Sequence, residues 1–267
     1  MKNYGIIFDL DDTLLATSNL YYSLIIEMMA MVESCSSPSF LAPEKILNVY
    51  RIVTSNKTSV ECETYYEEMD IENMDVYPDR FPRYLAETFI ESCLQAGVFP
   101  KKEDVQRVYD VGTKIFSHTY RLVPGAMRLL QYLFSRKDVR LFIVTHGSEK
   151  LQAPKMRDKE RTFSRFDRIV VVPSSISKSV AIKELIEKND NIDEWVMVGD
   201  SITKDINPAL AVGIRAILVR KHMSHIAEGE VVDIGDTRKR FVDIDDMGDL
   251  YEYMKERYLP KPSERTV

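Results

Sequence analysis

Five short apolar runs, each rich in β-branched residues, limit what this chain can become. They lie at residues 4–8 (YGIIF), 139–144 (VRLFIV), 168–172 (RIVVV), 195–198 (WVMV) and 215–219 (RAILV). Each is too short for an ordinary helix and is largely apolar rather than alternating. Strands buried on both faces of a parallel sheet read this way. Between the later runs lie amphipathic helical stretches. Residues 124–137 start on a proline suited to a first helical turn. Residues 177–188 start on a serine able to cap a helix, and 205–213 end on a glycine that stops one. Alternating strands and helices predict an α/β layer fold.

Residues 16–120 follow a different rule. Helical patterns at 19–35, 43–53, 81–97 and 101–118 carry few strand signals. The expected division is a core of residues 1–16 and 120–267, interrupted by an all-α module at 17–119. The methionines of EMMAM (27–31) are expected to pack the interior of that module.

The chain has 267 residues, 45% of them hydrophobic, enough for one large domain or two smaller ones. The net charge is −6, without the basic footprint of a nucleic-acid binder. An anionic substrate would therefore need local cations. Three widely spaced cysteines (35, 62 and 93) include no CxxC pair, which argues against a disulfide framework or zinc site. No apolar run approaches the ~18 residues of a membrane span, and the N-terminus turns acidic too early for a secretory signal. These features predict a soluble cytoplasmic protein that binds neither nucleic acid nor membrane. Oligomeric state is not readable.

Ligands of open α/β sheets bind beyond the carboxyl ends of the strands. There the chain places Asp9, Asp11 and Thr13 after the first run, and Thr145, His146 and Gly147 after the second. Lys178 opens the helix after the third run, and Gly199, Asp200, Ser201 and Asp205 follow the fourth. Asp9 and Asp200 would repel each other in a shared site. A hard cation such as Mg²⁺ relieves that repulsion and accepts a phosphate oxygen as a further ligand. An ionised aspartate can then attack phosphorus. A second acid two residues on can move the protons. A hydroxyl and an ammonium can hold the remaining phosphate oxygens.

DLDDT at 9–13, Thr145 after a buried strand, Lys178 and GDSITKD at 199–205 occur in the order found in the haloacid dehalogenase-like hydrolase superfamily, which the chain resembles over about 1–15 and 120–220. The resemblance implies a Rossmann-like core with a parallel sheet and an inserted helical cap. It implies that Asp9 is the nucleophile and Asp11 the general acid/base. Thr145 and Lys178 would bind phosphate, and His146 and Gly147 would line the same phosphate-binding site, Gly147 admitting the backbone close to an anion. Mg²⁺ would sit on Asp9, the Asp11 carbonyl and Asp200, with Asp205 in support. An acid at position 11, where the dehalogenases themselves usually carry tyrosine, suits phosphate-ester hydrolysis. The implied function is a Mg²⁺-dependent phosphatase acting on a small phosphorylated metabolite. The alternatives are a phosphomutase of the same superfamily, or a non-catalytic regulatory or binding protein that keeps the fold. The THG at 145–147 departs from the more frequent Thr-Asn.

Each residue also has a plainer reading. Asp9, Asp11 and Asp12 can end a strand in a turn, and Asp205 can be a first-turn acid. Lys150, Lys155 and Lys183 compete with Lys178. His118, His222 and His225 form no ligand set. Arg80, Arg83 and Tyr120 could contact a substrate from the cap, but ordinary surface or packing roles are the preferred reading. The tail at 263–267 is expected to fray.

Overall fold

The computed structural model describes residues 2–36, 41–72, 79–220, 231 and 237–259. His222, His225 and the 263–267 tail lie outside the described residues. Among the described residues no helix is long and apolar enough to cross a membrane.

The chain forms two compact units, residues 1–17 with 120–267, and residues 18–119. Tyr120, considered above with the arginines of the helical module, falls in the first unit. Among the described residues, that unit holds a six-stranded, wholly parallel sheet: β1 (Tyr4–Phe8), β2 (Val139–His146), β3 (Arg168–Val172), β4 (Glu194–Gly199), β5 (Arg215–Val219) and β6 (Phe241–Ile244). The order is β3-β2-β1-β4-β5-β6. Five strands fall on the five apolar runs. The sixth, FVDI, is an edge strand without a long apolar signature.

The sheet is buried on both sides, as its sequence requires. Ile6, Ile7 and Phe8 are all inaccessible to solvent. Ile7, Phe142, Trp195, Met197 and Ala216 pack with Ile182 and Leu185 of one helix and Leu210 of another. Each buried Ile, Leu, Phe or Met side chain among them contributes roughly 1.5–3 kcal/mol.

The second unit contains α1 (Ser18–Ser36), α2 (Pro43–Thr54), α3 (Val60–Glu68), α4 (Phe81–Gln95) and α5 (Lys102–Thr113). Helix α4 is its axis and packs on the other four. Leu85, Ala86, Phe89, Ile90 and Cys93 of α4 are buried in one apolar cluster with Met28, Val32, Val105 and Val108. Met29 and Met31 pack against the same cluster, in keeping with an interior role for these methionines. Arg80 and Arg83 have partners within this unit: Arg80 donates to Asn56 Oδ1 at 3.1 Å, and Arg83 lies over the Tyr66 ring. All three cysteines are free thiols.

Between β1 and α1 the chain folds back tightly. The N–H groups of Leu14 and Leu15 both donate to the Leu10 carbonyl, and Asp12 takes a φ of 60°. Aspartate tolerates that left-handed conformation better than most residues. Its side chain also accepts the Thr17 N–H at 3.0 Å.

Candidate active site

Sheet order dictates where the site can form. From β1 the chain proceeds to β2 and β3 on one side, then returns to place β4 on the other. The carboxyl ends of β1 and β4 therefore border the switch-point crevice. Asp9 follows β1, and its N–H donates to the Val198 carbonyl of β4 at 2.9 Å. That bond brings Asp9 beside Gly199 and Asp200. Thr145 lies near the end of β2, the strand next to β1. Lys178 opens the helix Lys178–Glu187, whose cap Ser177 accepts the Ser179 N–H.

Asp205 reaches the crevice from the irregular helical turn Ile202–Ile206 after β4. Its Oδ2 accepts the Ser201 N–H at 3.0 Å. Position 199 must be glycine for this to happen, since a Cβ there would lie 2.4 Å from Asp205 side-chain atoms.

A pocket of about 210 Å³ lies at the switch point, lined by Asp9, Asp11, Asp12, Thr145, His146, Lys178, Asp200, Ser201, Lys204 and Asp205. Within it the Lys178 ammonium donates to Asp9 and, at 2.7 Å, to Asp205 Oδ1. All three side chains are buried. Burial pushes the Asp9 carboxyl up to about 6, against the pull of Lys178, and the charges of Asp200 and Asp11 add to the rise. Burial raises Asp205 in the same way. For Lys178 burial works downward, but Asp9 and Asp205 outweigh it and hold the ammonium charged. One ammonium thus faces more carboxylate than it can neutralise. The donor set suits a further cation: oxygens of Asp9, Asp200 and Asp205 lie within 4.8 Å of one another. All are hard carboxylate donors, as Mg²⁺ prefers. Both Asp205 oxygens are already engaged, which suits a supporting place. Thr13 points its hydroxyl at Asp200 Oδ1, 3.3 Å away.

Asp11 has separate surroundings. Lys155 Nζ bridges both of its oxygens at 2.9 and 3.0 Å, and Gln152 Nε2 donates to Oδ2 at 2.9 Å. Neither partner was expected to meet Asp11. Their signal was the three-residue spacing on a helix directly after the strand that carries Thr145. Pro154, inside that helix (Glu149–Arg157), disguises it. The lysines that competed with Lys178 take other places. Lys155 serves Asp11, Lys150 is exposed, and Lys183 is exposed beside Glu187.

The loop after β2 departs from its expected role. The Gly147 N–H donates to the Val172 carbonyl at 2.9 Å, so it extends the sheet ladder instead of facing an anion. Its φ of 131° favours glycine, and a Cβ there would press on Gln152 Nε2 at 3.1 Å. His146 lines the pocket with its Nε2 3.0 Å from the Ile176 carbonyl. Burial holds this imidazole below its ordinary value, which favours a neutral ring donating to that carbonyl. Thr145 is buried at the pocket wall. His118 is exposed and belongs to the helical unit.

Fold and site together define an α/β protein with a carboxylate-and-lysine pocket at the switch point of its sheet. The family model for haloacid dehalogenase-like hydrolases matches residues 5–213, and the chain belongs to that family. Among solved structures it is similar to a haloacid dehalogenase-like family hydrolase from Xanthomonas campestris (TM-score 0.63, 17% identity, 95% of each chain covered). It is also similar to a putative phosphoglucomutase of the β type from Thermotoga maritima (TM-score 0.58, 18% identity, covering 96% of this chain and 100% of that one). A third similar structure is the putative hydrolase YfnB from Bacillus subtilis, bound to magnesium (TM-score 0.56, 19% identity, covering 96% of this chain and 100% of that one). No curated protein matches the chain.

Proposed function

We propose that the protein is a Mg²⁺-dependent phosphatase that hydrolyses a small phosphomonoester through an aspartyl-phosphate on Asp9. The observation that carries this reading is the pairing of Asp9 with Lys178 inside a carboxylate cluster short of positive charge. The ion would be held by Asp9, the Asp11 main-chain carbonyl and Asp200. Asp205 supports it by holding Lys178 and the Ser201 N–H. Bound there, Mg²⁺ supplies charge neutralisation for the approach of a phosphate dianion to a carboxylate.

The chain's own residues do the rest. The Asp9 carboxylate oxygen bonds to phosphorus as the ester P–O bond breaks. Asp11 gives its proton to the departing oxygen, which leaves as an alcohol. Asp11 then takes a proton from water as that water bonds to phosphorus and the Asp9–phosphorus bond breaks. Phosphate leaves and Asp11 is again protonated. Thr145 and Lys178 hold the equatorial oxygens, where charge accumulates. His146 and Gly147 shape the loop behind them. The helical unit acts as a cap over small substrates, and the enzyme works on a soluble phosphorylated metabolite in the cytoplasm.

The test is phosphate release from an aryl phosphate. It should require Mg²⁺, stop with EDTA, and be abolished in Asp9→Asn. Turnover by that variant at the wild-type rate would overturn the mechanism. The similarity to a putative phosphomutase keeps a second reading open, in which a sugar hydroxyl replaces water as the acceptor. Isomerised sugar phosphate without net phosphate release would favour it.

A further inference from the structure

We propose that Lys155 and Gln152 are positioning residues that fix where the Asp11 carboxylate stands; this rests on the acid/base role assigned to Asp11 above. Asp11 lies two residues from Asp9 and carries the same charge, so left alone its side chain has reason to turn away. The structure gives it a firm seat instead. Lys155 holds both oxygens and Gln152 holds one of them. These supports are not surface groups. Lys155 is 3% exposed and Gln152 1%, whereas the Asp11 side chain is 30% exposed and lines the pocket. Of the trio, only Asp11 is placed to meet a substrate.

Gln152 links the seat to the phosphate loop. Its Nε2 also donates to the His146 carbonyl at 2.6 Å and lies 3.5 Å from Thr145 Oγ1. Its Oε1 is buried without a hydrogen-bond partner. Turning the amide over would point that oxygen at a carboxylate and a carbonyl, both acceptors, so the observed orientation is the one the surroundings select. The missing Cβ of Gly147 leaves room for the amide. The Lys155 ammonium lies 5.4 Å from the centre of the buried Tyr120 ring, which backs it on another side. The end of β2 that carries Thr145 and the acid/base Asp11 are thereby held in one frame.

The consequence is selective. Cleaving an alkyl phosphate needs a proton delivered to a poor leaving group, whereas an aryl oxyanion departs without one. The measurement is the single-turnover rate of enzyme phosphorylation with Mg²⁺, for p-nitrophenyl phosphate and for a simple alkyl phosphate. It is made on wild type, Lys155→Met and Gln152→Met. In both variants the alkyl rate should fall about tenfold further than the aryl rate, a fraction of what a general acid supplies. Gln152→Met is uncharged and close in size, which keeps the test available if Lys155→Met folds poorly. Equal losses on the two substrates, or none, would overturn the positioning role. Asp11→Asn run in parallel separates the two failures. If its alkyl-to-aryl ratio matches wild type, the acid/base role itself is wrong and the proposal goes with it.

Discussion

Two aspartates two residues apart are each held by a lysine, and the two pairs are built differently. At the Lys178 site one ammonium serves Asp9 and Asp205, and all three groups are buried. At the Lys155 site one ammonium serves one half-open carboxylate, with a glutamine to complete the seat. The first pair leaves surplus negative charge in a dry place, and burial raises both acids. The second pair balances its charges at the edge of the pocket. Surplus buried negative charge suits a bound cation. The half-open carboxylate at the pocket edge is the one that a substrate or water can reach.

The largest effect expected from this contrast is on activity. Asp9→Asn should lower phosphate release by about 10⁶-fold, the scale seen when a covalent nucleophile is removed. Lys155→Met should leave measurable turnover in the same assay, since it moves a proton carrier and spares the attacking atom. Equal losses in the two would erase the distinction.

Stability should separate the lysines next. Lys178→Met strands two buried carboxylates, and removing one partner of a buried pair costs about 3–5 kcal/mol. Urea unfolding in EDTA should show a loss of that order, with part recovered on adding Mg²⁺. Lys155→Met should cost less than Lys178→Met, because water can reach Asp11. The reverse ranking would mean that burial is not what distinguishes the sites.

The pH dependence carries the same logic. Asp9 rises from an ordinary 3.8 to about 6 in the folded protein. Between those values the folded state keeps a proton that the unfolded chain has released. Its contribution to metal-free stability therefore falls as pH rises from about 4 to about 6, and stays low above that. Asp9→Asn removes this penalty. The stability of the variant relative to wild type should climb across that window, by on the order of 2 kcal/mol. A flat difference across the window would show that Asp9 ionises without penalty.

The sequence announced the two sites unequally, for physical reasons. A strand buried on both faces must be apolar, so five strands stood out, and the acids at their ends could be assigned to one edge of the sheet. Asp9, Thr145, Lys178, Asp200 and Asp205 meet because the switch point brings the ends of β1 and β4 together. β6 was silent because a four-residue edge strand with Asp243 at its centre lacks an apolar run. Helix α3 was silent because VECETYYEE carries no clear apolar stripe. The Asp11 seat was harder to see. Lysine and glutamine are ordinary on helix surfaces, and only the fold turns these two inward.

Asp12 draws the finest line through the comparison. It borders the same pocket as Asp9 and Asp11. Its φ of 60° and its bond to the Thr17 N–H mark it as a turn residue. Asparagine tolerates the same left-handed backbone and keeps an oxygen to accept that N–H. Asp12→Asn should therefore change stability by less than about 0.5 kcal/mol and activity by less than about twofold, on the same free-energy scale. Asp11→Asn should lose alkyl-phosphate cleavage by about 10²-fold or more. If Asp12→Asn lost as much, Asp12 would belong to the reaction itself, and the division of labour between Asp9 and Asp11 would have to include a third carboxylate.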